Sequence, residues 1–268
     1  MLIEEYFGFK KHPFLNTCDL EFLFWSSEFK EGYARLLYSI TESKAGLSLI
    51  IGEIGCGKTM LCKALKRDIE ERKSKTSLIE NPVLTPKEFL MRINLDFFEE
   101  EKKGTKAYIF KEVEKNIKKR KENYVILIDE AQILPSKTLE EIRLLLNLED
   151  KEGKLIQIVL FGQMDLKKKL QKEKPLKQRI GIAYTLSPLN EKETREYINH
   201  RLKVAGASYE IFEEKAISEI HSFTNGIPRL INIICSNSLF AAFTKDKKRI
   251  DENIIKMVIE DYRKNLME

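Results

Sequence analysis

Short runs of apolar residues alternate along the first two thirds of the chain with longer segments in which apolar positions recur at helical spacing, the pattern of repeated strand and helix units around a mostly parallel sheet. Five runs read as buried strands: Leu47 to Ile51, Thr76 to Glu80, Val125 to Ile128, Ile156 to Phe161 and Ile182 to Leu186. Helices are predicted near Thr59 to Lys73, Pro86 to Lys121 with a break at Gly104, Ser136 to Leu148 and Asp165 to Lys172. Past Pro188 the strand pattern stops. Glu191 to Ala205, Glu213 to Phe223, Pro228 to Thr244 and Asp251 to Leu266 all read as helices, with Asn190 and Asp251 as N-caps and Gly206 and Gly226 as punctuation. The expected organisation is an α/β core over residues 1–189 and a separate helical domain over 190–268.

Two junctions in this pattern hold chemistry. Gly52-Glu53-Ile54-Gly55-Cys56-Gly57-Lys58-Thr59 fits GxxxxGK[ST], directly after the first strand and before the helix that opens with Met60 and Leu61. In such a loop glycines let backbone amides turn inward around a β-phosphate, and the helix N-terminus adds positive potential. The lysine reaches the β- and γ-phosphates while the Thr hydroxyl ligates Mg²⁺. The second junction is Tyr124-Val125-Ile126-Leu127-Ile128-Asp129-Glu130-Ala131-Gln132, a buried strand that ends in two adjacent carboxylates. Strand ends at the carboxyl edge of a parallel sheet are where ligands bind, so both acids are expected to face the phosphate loop. Asp129 is then the Mg²⁺ partner and Glu130 the carboxylate that polarises an attacking water. Cys56, inside the loop, reads either as a small filler or as a thiol sensitised by the helix N-terminus.

Composition sharpens this picture by exclusion. With 268 residues, 43% hydrophobic and 33% charged, the chain is long enough for a core and is neither disordered nor collagen-like. Four cysteines and three histidines have no spacing suited to zinc. The start of the chain has no basic stretch followed by an apolar core, and no apolar run approaches bilayer length, so a cytoplasmic chain with reduced thiols and no direct membrane insertion is expected. A net charge of +5 is too small to demand a polyanion, yet Asp165 to Arg179 alone holds seven basic and two acidic residues. That stretch is either a solvated helix face or a stripe that follows nucleic-acid phosphates, so duplex DNA stays open as a partner.

The phosphate loop and the acid pair, with a helical domain behind them, resemble the AAA+ class of P-loop ATPases. Tyr6-Phe7-Gly8-Phe9, His12-Pro13-Phe14, the helix Glu31 to Ile40, Phe161-Gly162-Gln163 and Gln178-Arg179-Ile180 extend the resemblance to the ExeA, or general secretion pathway protein A, family over nearly the whole chain. The resemblance implies a five-stranded parallel sheet of order 5-1-4-3-2 with a C-terminal helical lid. ATP is then expected between core and lid, and the activity is Mg²⁺-dependent ATP hydrolysis. It places Gln163 as a first sensor near the γ-phosphate, Arg179 as an arginine finger and Arg229 as a second sensor at the start of a lid helix. The alternative for either arginine is a surface ion pair.

Family members commonly continue into a membrane span and a periplasmic peptidoglycan-binding domain, and this chain reads as the short, ATPase-only form. The implied setting is a ring or helical homo-oligomer that helps assemble a secretion or pilus-type envelope machine. The competing reading is a DNA-binding regulator resembling the ATPases that accompany transposases.

Overall fold

The computed structural model describes residues 3–120 and 122–266. The predicted helix end at Lys121 lies outside them. Five strands, β1 (Leu47–Gly52), β2 (Lys75–Ile79), β3 (Tyr124–Ile128), β4 (Ile156–Gly162) and β5 (Ile180–Leu186), form one parallel sheet in the order β2-β3-β4-β1-β5. This is the expected order.

The three central strands β3, β4 and β1 are buried along their whole length, which is why they read as unbroken apolar runs rather than alternating ones. β5 is an edge strand whose first six residues alternate between half-buried and exposed, so its start at Ile180 and Gly181 has little apolar signature. Helices Lys58–Glu71, Pro86–Phe98, Lys106–Arg120 and Ser136–Leu145 bury apolar faces beside the sheet; Leu61, Leu65, Phe89, Ile93, Val113 and Ile142 have no exposed surface. Each such side chain contributes roughly 1.5–3 kcal/mol of transfer free energy.

Gly104 lies in the connection between two of these helices. Thr85 opens the first of them with a capping box, its hydroxyl accepting from the Glu88 N–H while the Glu88 carboxylate accepts from the Thr85 N–H. A two-residue antiparallel hairpin, Glu149–Asp150 with Gly153–Lys154, precedes β4 and was not expected.

The chain forms two compact units, and their boundary departs from the sequence expectation. Residues 27–54 and 58–186 make the sheet unit; residues 3–26, 55–57 and 187–266 make the other. The N-terminal aromatic segment thus belongs with the C-terminal helices rather than with the sheet. The physical reason is its apolar cluster: Tyr6, Phe7, Phe9, Phe14 and Phe22 share one core with Ile198, Ile217, Ile231 and Ile255. Arg201 fastens the segment. It is only 3% exposed, stacks over the Phe22 ring at 4.8 Å, and donates to the carbonyls of Pro13 and Leu15 at 2.5 and 3.1 Å. Its planar, multi-donor guanidinium meets two carbonyls and a ring face at once, which a lysine cannot do.

In this unit Asn190 caps the helix Glu191–Val204 in a full capping box with Glu193, and the Asp251 carboxylate accepts from Ile254 N–H at the start of the helix Glu252–Leu266. Both N-caps were legible in the sequence.

Candidate functional site

β1 ends at Gly52, and the helix Lys58–Glu71 begins six residues later. Gly55 and Gly57 adopt φ of 86° and 96°, a region that disfavours any residue with a Cβ. A Cβ on Gly55 would also lie 2.6 Å from that of Arg229, whose N–H donates to the Gly55 carbonyl at 3.3 Å. Arg229 is solvent-exposed on the first turn of the helix Pro228–Thr244. Lys58 is 5% exposed, and its ammonium donates to the carbonyls of Gly52 and Glu53 at 3.0 and 2.8 Å. A buried ammonium needs such acceptors. Cys56 is buried in the loop, and Met60 is half-buried on the first turn of the helix.

The acid pair follows β3. Asp129 is 4% exposed, and its two carboxylate oxygens have distinct partners. Oδ2 accepts from the Thr59 hydroxyl at 2.6 Å, and Oδ1 from the Glu130 N–H at 2.9 Å. Burial raises the proton affinity of Asp129 above the ordinary carboxylate value, and those two donors partly offset it.

Glu130 turns the chain sharply at φ 48°, the left-handed region that costs a non-glycine residue roughly 1–3 kcal/mol. Its carboxylate oxygen Oε2 accepts from the side-chain amide of Gln163 at 3.3 Å. Gln163 stands at the N-terminal boundary of the helix Met164–Lys172 directly after β4, and the Ile51–Gly162 pairing puts it beside the end of β1. Lys58, Thr59, Asp129, Glu130 and Gln163 are therefore assembled on one carboxyl edge of the sheet.

Gln132 belongs to the same cluster. Its side chain donates to Glu130 Oε2 and accepts from the Gln163 N–H at 3.2 Å. Gln132 closes the acid-pair motif in the sequence with no role marked for it, because a turn residue's partner across the sheet leaves no trace in local spacing.

Arg179 stands apart. It precedes β5, where Ile180 pairs with Leu47 at the amino end of β1, so one strand length of roughly 20 Å separates it from Gly52. Its guanidinium donates to the Leu146 carbonyl at 3.3 Å beside a cleft of about 370 Å³ lined by Gly46, Lys154 and Gln178.

This arrangement can be set against known proteins. The AAA domain family matches residues 41–170. General secretion pathway protein A of Aeromonas hydrophila is 35% identical over 253 residues, covering 92% of this chain. The chain belongs to the ExeA-like AAA+ ATPase family.

It spans 46% of that relative's length, less than half. An uncharacterized HTH-type transcriptional regulator of Methanocaldococcus jannaschii is also 35% identical, over 138 residues that cover 49% of this chain and 33% of the regulator. Among solved structures, the Aeropyrum pernix ORC2 protein superposes with a TM-score of 0.65 at 17% identity over 86% of this chain and 66% of that one. Drosophila ORC bound to DNA gives 0.70 at 19% over 96% and 64%. The Thermotoga maritima RuvB Holliday junction branch migration motor gives 0.60 at 18% over 89% and 70%. At these identities the structural likeness establishes the shared fold of this ExeA-like chain. Among its described residues no helix is long and apolar enough to cross a membrane.

Proposed function

We propose that this chain binds ATP with Mg²⁺ at the carboxyl edge of the sheet and hydrolyses it by in-line attack of water. The observation that supports this most is the 2.6 Å contact between Thr59 Oγ1 and Asp129 Oδ2, flanked by Lys58 on one side and Glu130 on the other. A hydroxyl and a buried carboxylate in contact are hard oxygen donors, and they suit an ion that takes one or two protein ligands and completes its shell with water and substrate phosphate. When bound, Mg²⁺ neutralises charge on the β- and γ-phosphate oxygens.

The chain's own residues do the rest. The amides of Gly52 to Met60 wrap the phosphates, and Lys58 places its charge against them. Glu130 orients the attacking water and accepts its proton. Gln163 donates toward the reacting γ-phosphate or the water, from a position where it already touches Glu130. Arg229, whose backbone N–H meets the Gly55 carbonyl of the loop, is the proposed second sensor. Arg179, ahead of β5 at the amino end of the sheet, is too far from the phosphate loop of its own chain to serve it, which favours a role in the site of a neighbouring copy. The working form is then a homo-oligomer with a heterologous interface, in a ring or a helix.

The relative's name points to a general secretion pathway, and we place this ATPase among the cytoplasmic factors that assemble a secretion or pilus-type envelope machine through protein partners. A second reading, a regulator that engages duplex DNA, is favoured by one feature: Lys167, Lys168, Lys172, Lys174 and Lys177 are all exposed on the segment between β4 and β5. ATPase rate and gel shift with duplex DNA across a salt series decide between them. Secretion factors should show weak binding and a rate that DNA leaves unchanged. DNA stimulation that collapses steeply as salt rises would establish the second reading instead.

A further inference from the structure

The turn after β3 is built around one side-chain amide. The Gln132 carbonyl oxygen accepts from the backbone N–H of Gln163 at 3.2 Å, and a backbone N–H can only donate. That contact fixes the amide's orientation and leaves its NH₂ facing Glu130, whose Oε2 it meets at 2.5 Å. The same oxygen receives the Gln163 amide at 3.3 Å, so two donors converge on one carboxylate oxygen.

Space for this is reserved on the opposite strand. A Cβ on Gly162 would stand 2.9 Å from Gln132 Oε1, so a side chain there would push the amide away. The backbone of the turn is held as well. The ammonium of Lys169, on the helix Met164–Lys172, donates to the carbonyls of Gln132 at 3.1 Å and of Leu134. Lys169 is thus the half-buried member of a lysine-rich segment whose other lysines face solvent.

These contacts have a purpose in energetic terms. Glu130 sits at φ 48°, and a non-glycine residue keeps that conformation only where its surroundings over-determine it. Without Gln132 the carboxylate would retain one longer contact, to Gln163, and would sample other rotamers. A general base is sensitive to such displacement, since a misplacement of about 1 Å can cost on the order of a hundredfold in rate.

We propose that Gln132 is a positioning residue for Glu130. It grips the carboxylate with its NH₂ and registers it against β4 with its carbonyl, while Lys169 ties the same turn to the helix that follows Gln163. The proposal rests on Glu130 being the water-activating carboxylate. Only a group that donates and accepts at once fits the position. Leucine does neither, and glutamate loses the donor while adding a like charge.

The test measures kcat, KM and ATP affinity for Gln132→Leu and Gln132→Glu, each alone and combined with Glu130→Gln. With Glu130 intact, either substitution should lower kcat on the order of tenfold and leave KM and ATP affinity unchanged, as loss of placement without loss of binding requires. In the Glu130→Gln background the same substitutions should change the residual turnover less than twofold, because the group they position is gone. A melting temperature matching wild type in Gln132→Glu, which keeps the side chain's size and polarity, separates this from a folding defect. Unchanged kcat beside a strongly impaired Glu130→Gln would overturn the proposal and spare the reading of Glu130. An equal loss in both backgrounds would also overturn it, by showing that Gln132 acts elsewhere. Normal turnover in Glu130→Gln alone would remove the reading of Glu130 and the proposal with it.

Discussion

Arg179→Ala should bind ATP nearly as wild type does and hydrolyse it on the order of a thousandfold more slowly. In phosphoryl transfer, charge accumulates on the oxygens of the γ-phosphoryl group, and an arginine supplied from outside the site accounts for roughly 10³ to 10⁵ in rate. Under the proposed assignment that arginine acts on a neighbouring copy. Arg179 precedes β5 at the end where Leu47 pairs with Ile180, and Gly52 pairs with Leu186 at the other end. No arginine side chain spans that length of strand. The loss should therefore be complemented by mixing: Arg179→Ala subunits have an intact phosphate loop, Lys58→Ala subunits have an intact finger, and some interfaces in a mixed oligomer contain both. Recovery of turnover above the sum of the two inactive variants checks the assignment. A mixture that stays inactive while mixed oligomers demonstrably form would leave Arg179 as the ligand of Leu146 O that it is within one chain.

Glu130→Gln should separate binding from turnover. Glutamine keeps the size of the side chain and its hydrogen-bonding reach, and it loses the charge that draws a proton from water. ATP affinity should stay within about twofold of wild type while turnover falls on the order of a hundredfold or more. Asp129 keeps its hydrogen bonds through this change, because they are to the Thr59 hydroxyl and to the backbone N–H of residue 130 rather than to the Glu130 side chain. The trapped, ATP-bound state should also shift the protein toward the larger assembly in sedimentation. Wild-type turnover in this variant would show that another group activates the water.

What could be read in advance follows the reach of local pattern. β1, β3 and β4 are covered on both faces, and an unbroken apolar run is the only sequence compatible with that burial, so they stood out. The phosphate loop and the acid pair were legible for a covalent reason: each is contiguous, and each sits at a strand end. β5 was found two residues short because an edge strand needs apolar residues on one face alone.

Three features lay out of reach. The aromatics Tyr6, Phe7, Phe9 and Phe14 announce that the N-terminal segment is buried, but apolarity does not name the surface it packs against, and that surface proved to be the C-terminal helices. Arg201, which holds the segment through backbone carbonyls, is one arginine among twelve, and nothing in its neighbours marks it. Gln132 was hidden for the same reason. Its partners are Glu130 two residues back and a backbone N–H 31 residues ahead, and only the β3–β4 pairing brings them together.

Titration of MgATP into the wild-type chain and into Lys58→Ala, followed by calorimetry, tests the central claim most directly. Lys58 supplies the ammonium of the loop, held at its mouth by the Gly52 and Glu53 carbonyls. Wild type should bind saturably with one nucleotide per chain, and the variant should give no detectable binding at concentrations that saturate wild type. Equal affinity in the two proteins would contradict the placement of the nucleotide at this loop.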